Sequence, residues 1–434
     1  MSGVESRIGV GMIGLGTVGG GVEKWFRQGG GEAHGLELRR VAVANPDKPR
    51  ETQFPLTGSV QDIIKDPKIQ IVIEVMGGIT PASDYIFDAI NEGKSVITAN
   101  KAAVATKMPE FFDAARSRNA DFAFEASVGG GIRIIQVINS FQAERIEAVK
   151  AILNGTSNYI LTQMEKGLSF DEALLDAQKM GFAESDHSSD TGGYDTRYKL
   201  AILASLGFNT WFDLELIDRK GMADISPIDL DFASKYGVEE GESGYAVKLL
   251  AIAKRRGDNF VELRVTPALI SRDHQLASVR DEYNAVYLEG SNAGPQMLWG
   301  KGAGREATTS AVTMDLLRVA SNLRVGITGY LPTLDGDTQV VDPTTVETAG
   351  YFRVNLKHVP GSGERFFGIM RQNGLNVADS LQRKRFAQVI EGETVIPDIN
   401  TIEPAPQKNI EQALSDLKTS DRIIGEPLFI PFEG

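Results

Sequence analysis

The chain has no cysteine, so disulfides, thiolate metal sites and thiol nucleophiles are all excluded. Its four histidines (His34, His187, His274 and His358) are scattered, which argues against a histidine-rich zinc site. No apolar run approaches the ~20 residues of a spanning helix. Strand-like sequence begins by Arg7, leaving no room for a signal peptide, so a cytoplasmic chain without a membrane anchor is expected. Basic residues are in deficit, 45 against 58 acids, for a net charge of -13. That balance argues against nucleic acid or an anionic membrane as main partner, while leaving a local basic pocket for phosphate open. What remains is an ordinary globular composition, 42% hydrophobic and 24% charged over 434 residues, long enough for two or three domains.

One stretch concentrates chemistry. From Gly181 to Leu200 the sequence places Glu184, Asp186, Asp190 and Asp195 among serines and glycines, then Lys199 before an apolar run. It reads as a loop feeding a helix. A helix from about Gly193 sets Asp195 and Lys199 on one face, four residues apart. A carboxylate beside an ammonium suits proton transfer at a substrate hydroxyl, and Glu184 and Asp190 add charge for a cationic amine. A surface ion pair worth about 0.3–0.5 kcal/mol explains the same spacing.

The first third reads as a doubly wound α/β domain. Arg7–Ile13 is a buried strand, Gly14-Leu15-Gly16-Thr17-Val18-Gly19 follows at once, and a helix runs through Phe26. Strand, GxGxxG and helix form the dinucleotide-binding arrangement, with phosphate on the helix N-terminus. The second strand ends at Asn45, where an NAD site often has an acid for the ribose hydroxyls. Lys48 and Arg50 nearby favour NADP, although a solvated charged loop accounts for them equally. Gln70–Val75 is a strand running into Gly77, and Ser95–Ala99 a strand delivering Thr98, Asn100 and Lys101 at its end. Ligands bind beyond strand carboxyl ends, so Lys101 is a functional candidate, against an exposed lysine at a helix start. Asp121–Val128 reads as a further strand closed by three glycines.

The second region reads as α+β around a largely antiparallel sheet. It opens with a strand, an Asn154-Gly155-Thr156-Ser157-Asn158 turn and a helix from about Asn158. Residues 243–255 are expected to be helical, with strands at 261–270 and 283–290. Gly300-Lys301-Gly302-Ala303-Gly304 precedes a long helix and offers N–H groups to cofactor or carboxylate. Residues 331–348 read as a linker, and the segment from Tyr351 has the βαββαβ order of a small ferredoxin-like module.

In these motifs the chain resembles the homoserine dehydrogenase family, through nearly its whole length. The resemblance rests on the Gly14–Gly19 loop, Ile73-Glu74-Val75-Met76-Gly77-Gly78, Thr98-Ala99-Asn100-Lys101, Phe124–Ile132, Leu153–Tyr159, the segment ending Asp195…Lys199, and Gly300–Gly304. It implies reversible NAD(P)-dependent interconversion of L-homoserine and L-aspartate 4-semialdehyde, in threonine, methionine and isoleucine biosynthesis. By the same resemblance Lys199 and Lys101 are catalytic, while Glu184, Asp190, Asp195, Gly155 and Thr156 bind substrate. Gly14, Gly16, Thr17, Val18, Gly19, Asn45, Lys48, Arg50, Gly77, Thr98, Lys101 and Gly302 bind NADP or NAD. A sodium or potassium ion is implied at Glu125, Val128 and Gly130, mainly through backbone carbonyls. The tail resembles a regulatory ACT module, which implies an amino-acid effector, and a homodimer or homotetramer is expected. The implied domains are 1–135 (Rossmann, with the helix near 305–325 returning to it), 136–330 (catalytic and dimerisation), 331–348 (linker) and 349–434 (ACT-like). The chain departs from the family pattern at Arg133, at Ala44-Asn45 and in the Lys357–Gly363 turn.

Two other readings differ in function class. Another Rossmann oxidoreductase could use a strand-end lysine on a small alcohol or sugar. A non-catalytic amino-acid sensor could keep the cofactor fold, although it would have no need of Lys101, Asp195 and Lys199 together.

Overall fold

The computed structural model describes residues 7–382, 388–390 and 392–433. Two compact units emerge, Met1–Val149 with Thr196–Ile217 and Tyr283–Thr338, and Lys150–Asp195 with Asp218–Glu282 and Gln339–Gly434.

In the first unit, β1 (Ile8–Ile13), α1 (Thr17–Arg27), α2 (Gly30–Ala33), β2 (Leu36–Ala42), β3 (Leu56–Thr57) and α3 (Gln61–Ile64) come first. They are followed by β4 (Ile71–Glu74), α4 (Ala82–Asn91), β5 (Ser95–Thr98), α5 (Lys101–Arg118), β6 (Phe122–Ala123) and α6 (Ile134–Ser140). The strands form a parallel sheet in the order β3-β2-β1-β4-β5-β6. Strands covered on both faces read as apolar runs, and β4 is buried at every residue. The expected strand at 121–128 is shorter: after Ala123 the chain tightens into a 3₁₀ turn at Glu125–Ser127.

The chain continues with β7 (Ile146–Ile152), α7 (Gly155–Glu165), α8 (Phe170–Lys179), α9 (Ser188–Thr191), α10 (Tyr194–Gly207), β8 (Asp218–Arg219), α11 (Pro227–Lys235), β9 (Tyr245–Arg255) and β10 (Phe260–Ser271). Next are the antiparallel pair β11 (Tyr283–Gly290) and β12 (Gly294–Lys301), then α12 (Arg305–Val325). Ala311, Val312, Leu316 and Val319 of α12 share one core with Val10, Met12 and Ile73 of the parallel sheet.

Residues 243–255 are not helical. β9 pairs antiparallel with β10 along its whole length, and eight consecutive residues from Ala246 are buried. A strand covered on both faces loses its alternation, so Tyr-Ala-Val-Lys-Leu-Leu-Ala-Ile-Ala has no period that distinguishes it from a helix. Within the 331–348 segment a short strand, β13 (Gln339–Val340), pairs with β10, and the next strand already begins at Glu347.

The module after it comprises β14 (Glu347–Lys357), α13 (Ser362–Gln372), β15 (Val377–Gln382), β16 (Gln388–Ile390), β17 (Glu393–Pro406), α14 (Gln407–Lys418) and β18 (Leu428–Pro431). Its antiparallel sheet runs β15-β17-β14-β18, with β16 beside β17, which is the ferredoxin-like order. Phe352, Phe366, Ile369, Ile410 and Leu417 fill its core.

Candidate active site

The three glycines of the first loop divide their work. Gly14 has φ +103°, which L side chains rarely adopt, and makes the turn out of β1. A Cβ on Gly19 would lie 2.3 Å from the Gly14 carbonyl oxygen, so α1 packs against the turn only if residue 19 is glycine. A Cβ on Gly16 would meet nothing within 4 Å. Gly16 precedes α1 with no side-chain cap, so the N–H groups of Thr17 and Val18 lie at an uncapped helix start. Open space at the middle glycine and close packing at the third are what a pyrophosphate cradle needs, and these residues fit a dinucleotide. Gly77 (φ +82°) is likewise clear of neighbours.

Beyond β2, Asn45 Oδ1 accepts from the N–H groups of Asp47 and Lys48 at 3.1 and 3.2 Å, and Arg50 Nη1 donates to the Asn45 carbonyl at 2.6 Å. The loop is thereby held as a turn with Lys48 exposed. At the ends of β4 and β5, buried Glu74 receives the Thr98 hydroxyl at 2.6 Å, and Thr98 in turn accepts from the Asn100 N–H at 2.9 Å. Burial pushes the Glu74 carboxyl up, against hydrogen bonds from Thr98 and the backbone that pull it down. Asn100 caps α5 and donates to the Gly78 carbonyl at 2.6 Å. Lys101 is thus the first residue of α5, half-buried beyond the β5 end.

Glu125 is 1% exposed and accepts from the N–H groups of Ile135 and Gln136 at 2.8 and 3.0 Å, at the start of α6. Burial and neighbouring Asp315 push its carboxyl up to about 7. Val128 is fully buried, and Gly130 (φ +54°) meets Gly302 so closely that a Cβ would lie 2.6 Å from the Gly302 carbonyl. Glycine at 302 also accommodates buried Asn284, whose side chain a Cβ there would overlap. Among the described residues no group of three His, Asp or Glu could hold a metal ion.

In the second unit one side chain gathers the acids. Asn154 Nδ2 donates to Asp190 Oδ1 at 2.7 Å and to Asp195 Oδ2 at 2.9 Å, while its Oδ1 accepts from the Ser157 N–H at 2.8 Å and caps α7. Ser157 Oγ adds a bond to the Asp190 carbonyl at 3.0 Å. Gly155 permits a close approach of backbones: a Cβ would lie 2.5 Å from the Glu282 carbonyl oxygen. Thr156 directs its hydroxyl to the Phe182 carbonyl at 2.6 Å and so ties down the acidic loop. Glu184 is exposed on that loop, before the single turn of α9. α10 carries Asp195 and Lys199 one helical turn apart, 5% and 8% exposed, which excludes the reading as an exposed surface pair. In the sequence Asn154 stands in a polar turn with no role of its own. Its position as an N-cap after a strand was the available signal.

The chain as a whole is similar to known proteins. A family model described as "Homoserine dehydrogenase, NAD binding domain" covers residues 14–125, and one described as "Homoserine dehydrogenase" covers residues 134–317. The chain is 36% identical over 428 residues to the homoserine dehydrogenase of Bacillus subtilis (strain 168), covering 95% of this chain and 96% of that one. It is similar to the crystal structure of a homoserine dehydrogenase from Thiobacillus denitrificans, with TM-score 0.86, 34% identity and 98% of each chain covered. A putative homoserine dehydrogenase from Archaeoglobus fulgidus matches with TM-score 0.63 and 26% identity, over 72% of this chain and 99% of that one.

Proposed function

The chain belongs to the homoserine dehydrogenase family, and from that premise we propose which residues perform the reaction. The activity is the NAD(P)-dependent interconversion of L-homoserine and L-aspartate 4-semialdehyde at a CH–OH carbon. When bound, the nicotinamide supplies the hydride chemistry. The protein must then hold the amino acid, orient its terminal carbon and move one proton.

Lys199, with Lys101, exchanges that proton with the substrate hydroxyl. Asp195, Asp190 and Glu184 hold the substrate ammonium, and the Gly155-Thr156 backbone shapes the floor beneath it. The carrying observation is the shared Asn154 amide: two carboxylates that would repel each other are fixed on one donor, poised for a cation. Burial of Lys199 supports its role, because a lysine that served only as a solvated surface charge would be exposed. Homoserine-dependent reduction of the cofactor by Lys199→Ala is the test. A loss of about 10²–10⁴-fold in kcat is expected for removal of a general acid–base, and full activity would remove the assignment.

Lys48 and Arg50 select NADP, supported by the absence of an acid at Asn45 and by the exposed Lys48 ammonium. A sodium or potassium ion is held by main-chain oxygens around Val128 and Gly130. The left-handed Gly129 and Gly130 and the adjacent acids Glu125 and Asp315 fit a monovalent cation better than a divalent one, which would need more carboxylates. We read the domains as 1–135, 136–330, 331–348 and 349–434, the last an ACT-like regulatory module for an amino-acid effector, supported by its ferredoxin-like strand order. The enzyme works in the cytoplasm as a homodimer or homotetramer.

A further inference from the structure

The strand that leads to Asn154 has a second anchor. Lys150 on β7 is 6% exposed in its side chain, and its Nζ lies 2.9 Å from Glu433 Oε1. The same carboxylate meets Arg264 Nη2 at 2.7 Å and Lys254 Nζ at 3.4 Å. Glu262, beside Arg256 and 2.9 Å from Arg264, is the other acid of the cluster. In these ion pairs two carboxylates are shared among four cations, Lys150, Lys254, Arg256 and Arg264. Burial raises the Glu433 carboxyl, but Lys150, Arg264 and Lys254 together outweigh it and bring it down to about 2.

Glu433 itself is firmly placed. Its N–H donates to the Leu269 carbonyl on β10 at 2.8 Å, and the Phe432 N–H donates to the Ala349 carbonyl on β14 at 3.0 Å. The Phe432 ring packs on Tyr236 and Tyr245, with centroids 5.6 and 5.0 Å away. The segment after β18 is thus pinned on both sides, and its carboxylate is an ion-pair partner of buried Lys150.

We propose that Glu433 is a positioning residue for substrate binding: through Lys150 it fixes the β7 end that presents Asn154 to Asp190 and Asp195. This rests on the reading that those acids hold homoserine. The route is short, since Lys150 and Asn154 are four residues apart, about 13 Å of extended chain at most. Without the Glu433 charge, Lys150, Lys254 and Arg264 lose a shared counter-ion, and a buried ammonium that loses an ion pair relaxes by moving. A shift of about 1 Å in a positioning group is enough to weaken binding or turnover up to about a hundredfold. The role falls on substrate affinity and not on proton transfer, because Lys150 leads to the turn and not to Lys199.

Glu433→Gln keeps the shape and removes the charge. Its homoserine KM is expected to rise about tenfold or more, with kcat within about threefold and NADPH affinity without homoserine unchanged. Adding Lys254→Met, which removes one of the cations that shared it, should bring KM part of the way back. A purely structural role would lower the melting temperature and leave KM alone, and that result overturns the proposal. Asn154→Ser separates the two ideas. If it raises KM while Glu433→Gln does not, the acids hold substrate and Glu433 has no part in it; if neither variant moves KM, both fall. Should Glu433→Gln not fold, the charge-restored pair Glu433→Gln/Lys254→Met and the single variant Lys150→Met replace it. Unchanged KM in both then overturns the proposal.

Discussion

The side-chain amide of Asn154 donates to Asp195 Oδ2 at 2.9 Å while the other end of the same amide caps α7. One side chain thereby sets both the start of α7 and the position of an acid on α10. Hydrogen bonds to charged groups contribute about 1.5–3 kcal/mol each. Asn154→Ser retains a capping oxygen and loses the amide donor, so the fold should survive while the homoserine KM rises about tenfold to a hundredfold. Steady-state kinetics beside a melting curve decide it, and an unchanged KM would break the link between Asn154 and the substrate.

The first loop separates ligand from fold. Gly16→Ala enters open space and Gly19→Ala meets the Gly14 carbonyl. The alanine at 16 should leave the melting temperature near the parent value and weaken NADPH binding about tenfold or more, ~1.4 kcal/mol per decade. The alanine at 19 should cost about 1–3 kcal/mol of stability through overpacking. Equal loss of stability in both variants would contradict this division.

Glu125 gives a pH signature. Its carboxyl is raised from 4.5 to about 7 in the fold, so between those values the folded chain binds a proton that the unfolded chain has released. Stability therefore falls as pH rises through that window, by up to about 3 kcal/mol at 1.36 kcal/mol per unit. Glu125→Gln should flatten this decline whatever its absolute stability. Parallel denaturation profiles for the two proteins from pH 4.5 to 7 would remove the assignment.

Cofactor choice is tested at Lys48, which is exposed and whose side chain the Asn45 turn does not use. Lys48→Ala should raise the KM for NADP about tenfold, as expected for one lost phosphate contact of ~1.4 kcal/mol, and leave that for NAD in place. Equal effects on both cofactors would point to a loop that serves the adenine ribose without reading its phosphate.

Much of the architecture is legible in the sequence because local patterns decide it. Gly14–Gly19 after an apolar strand fixes the first α/β unit, and the βαββαβ rhythm from Tyr351 appears as the β15-β17-β14-β18 sheet. β9 is not legible, since a strand buried on both faces shows no alternation, and only its pairing with β10 reveals it. Asp195 and Lys199 are visible as a one-turn pair, but their burial is not, because it depends on what packs over α10. Asn154 joins Asp190 and Asp195 across 36 and 41 residues, and Glu433 reaches Lys150 from far along the chain. No window of sequence contains such pairs.

The Glu433 cluster also limits what can be trimmed. Cutting the chain at the 331–348 segment would look like pruning an accessory module at a natural joint. It would strip Lys150, Lys254 and Arg264 of a shared counterion while leaving all three in place. The excised core would need its interior recoded, with at least one of those side chains made neutral, before it could stand alone.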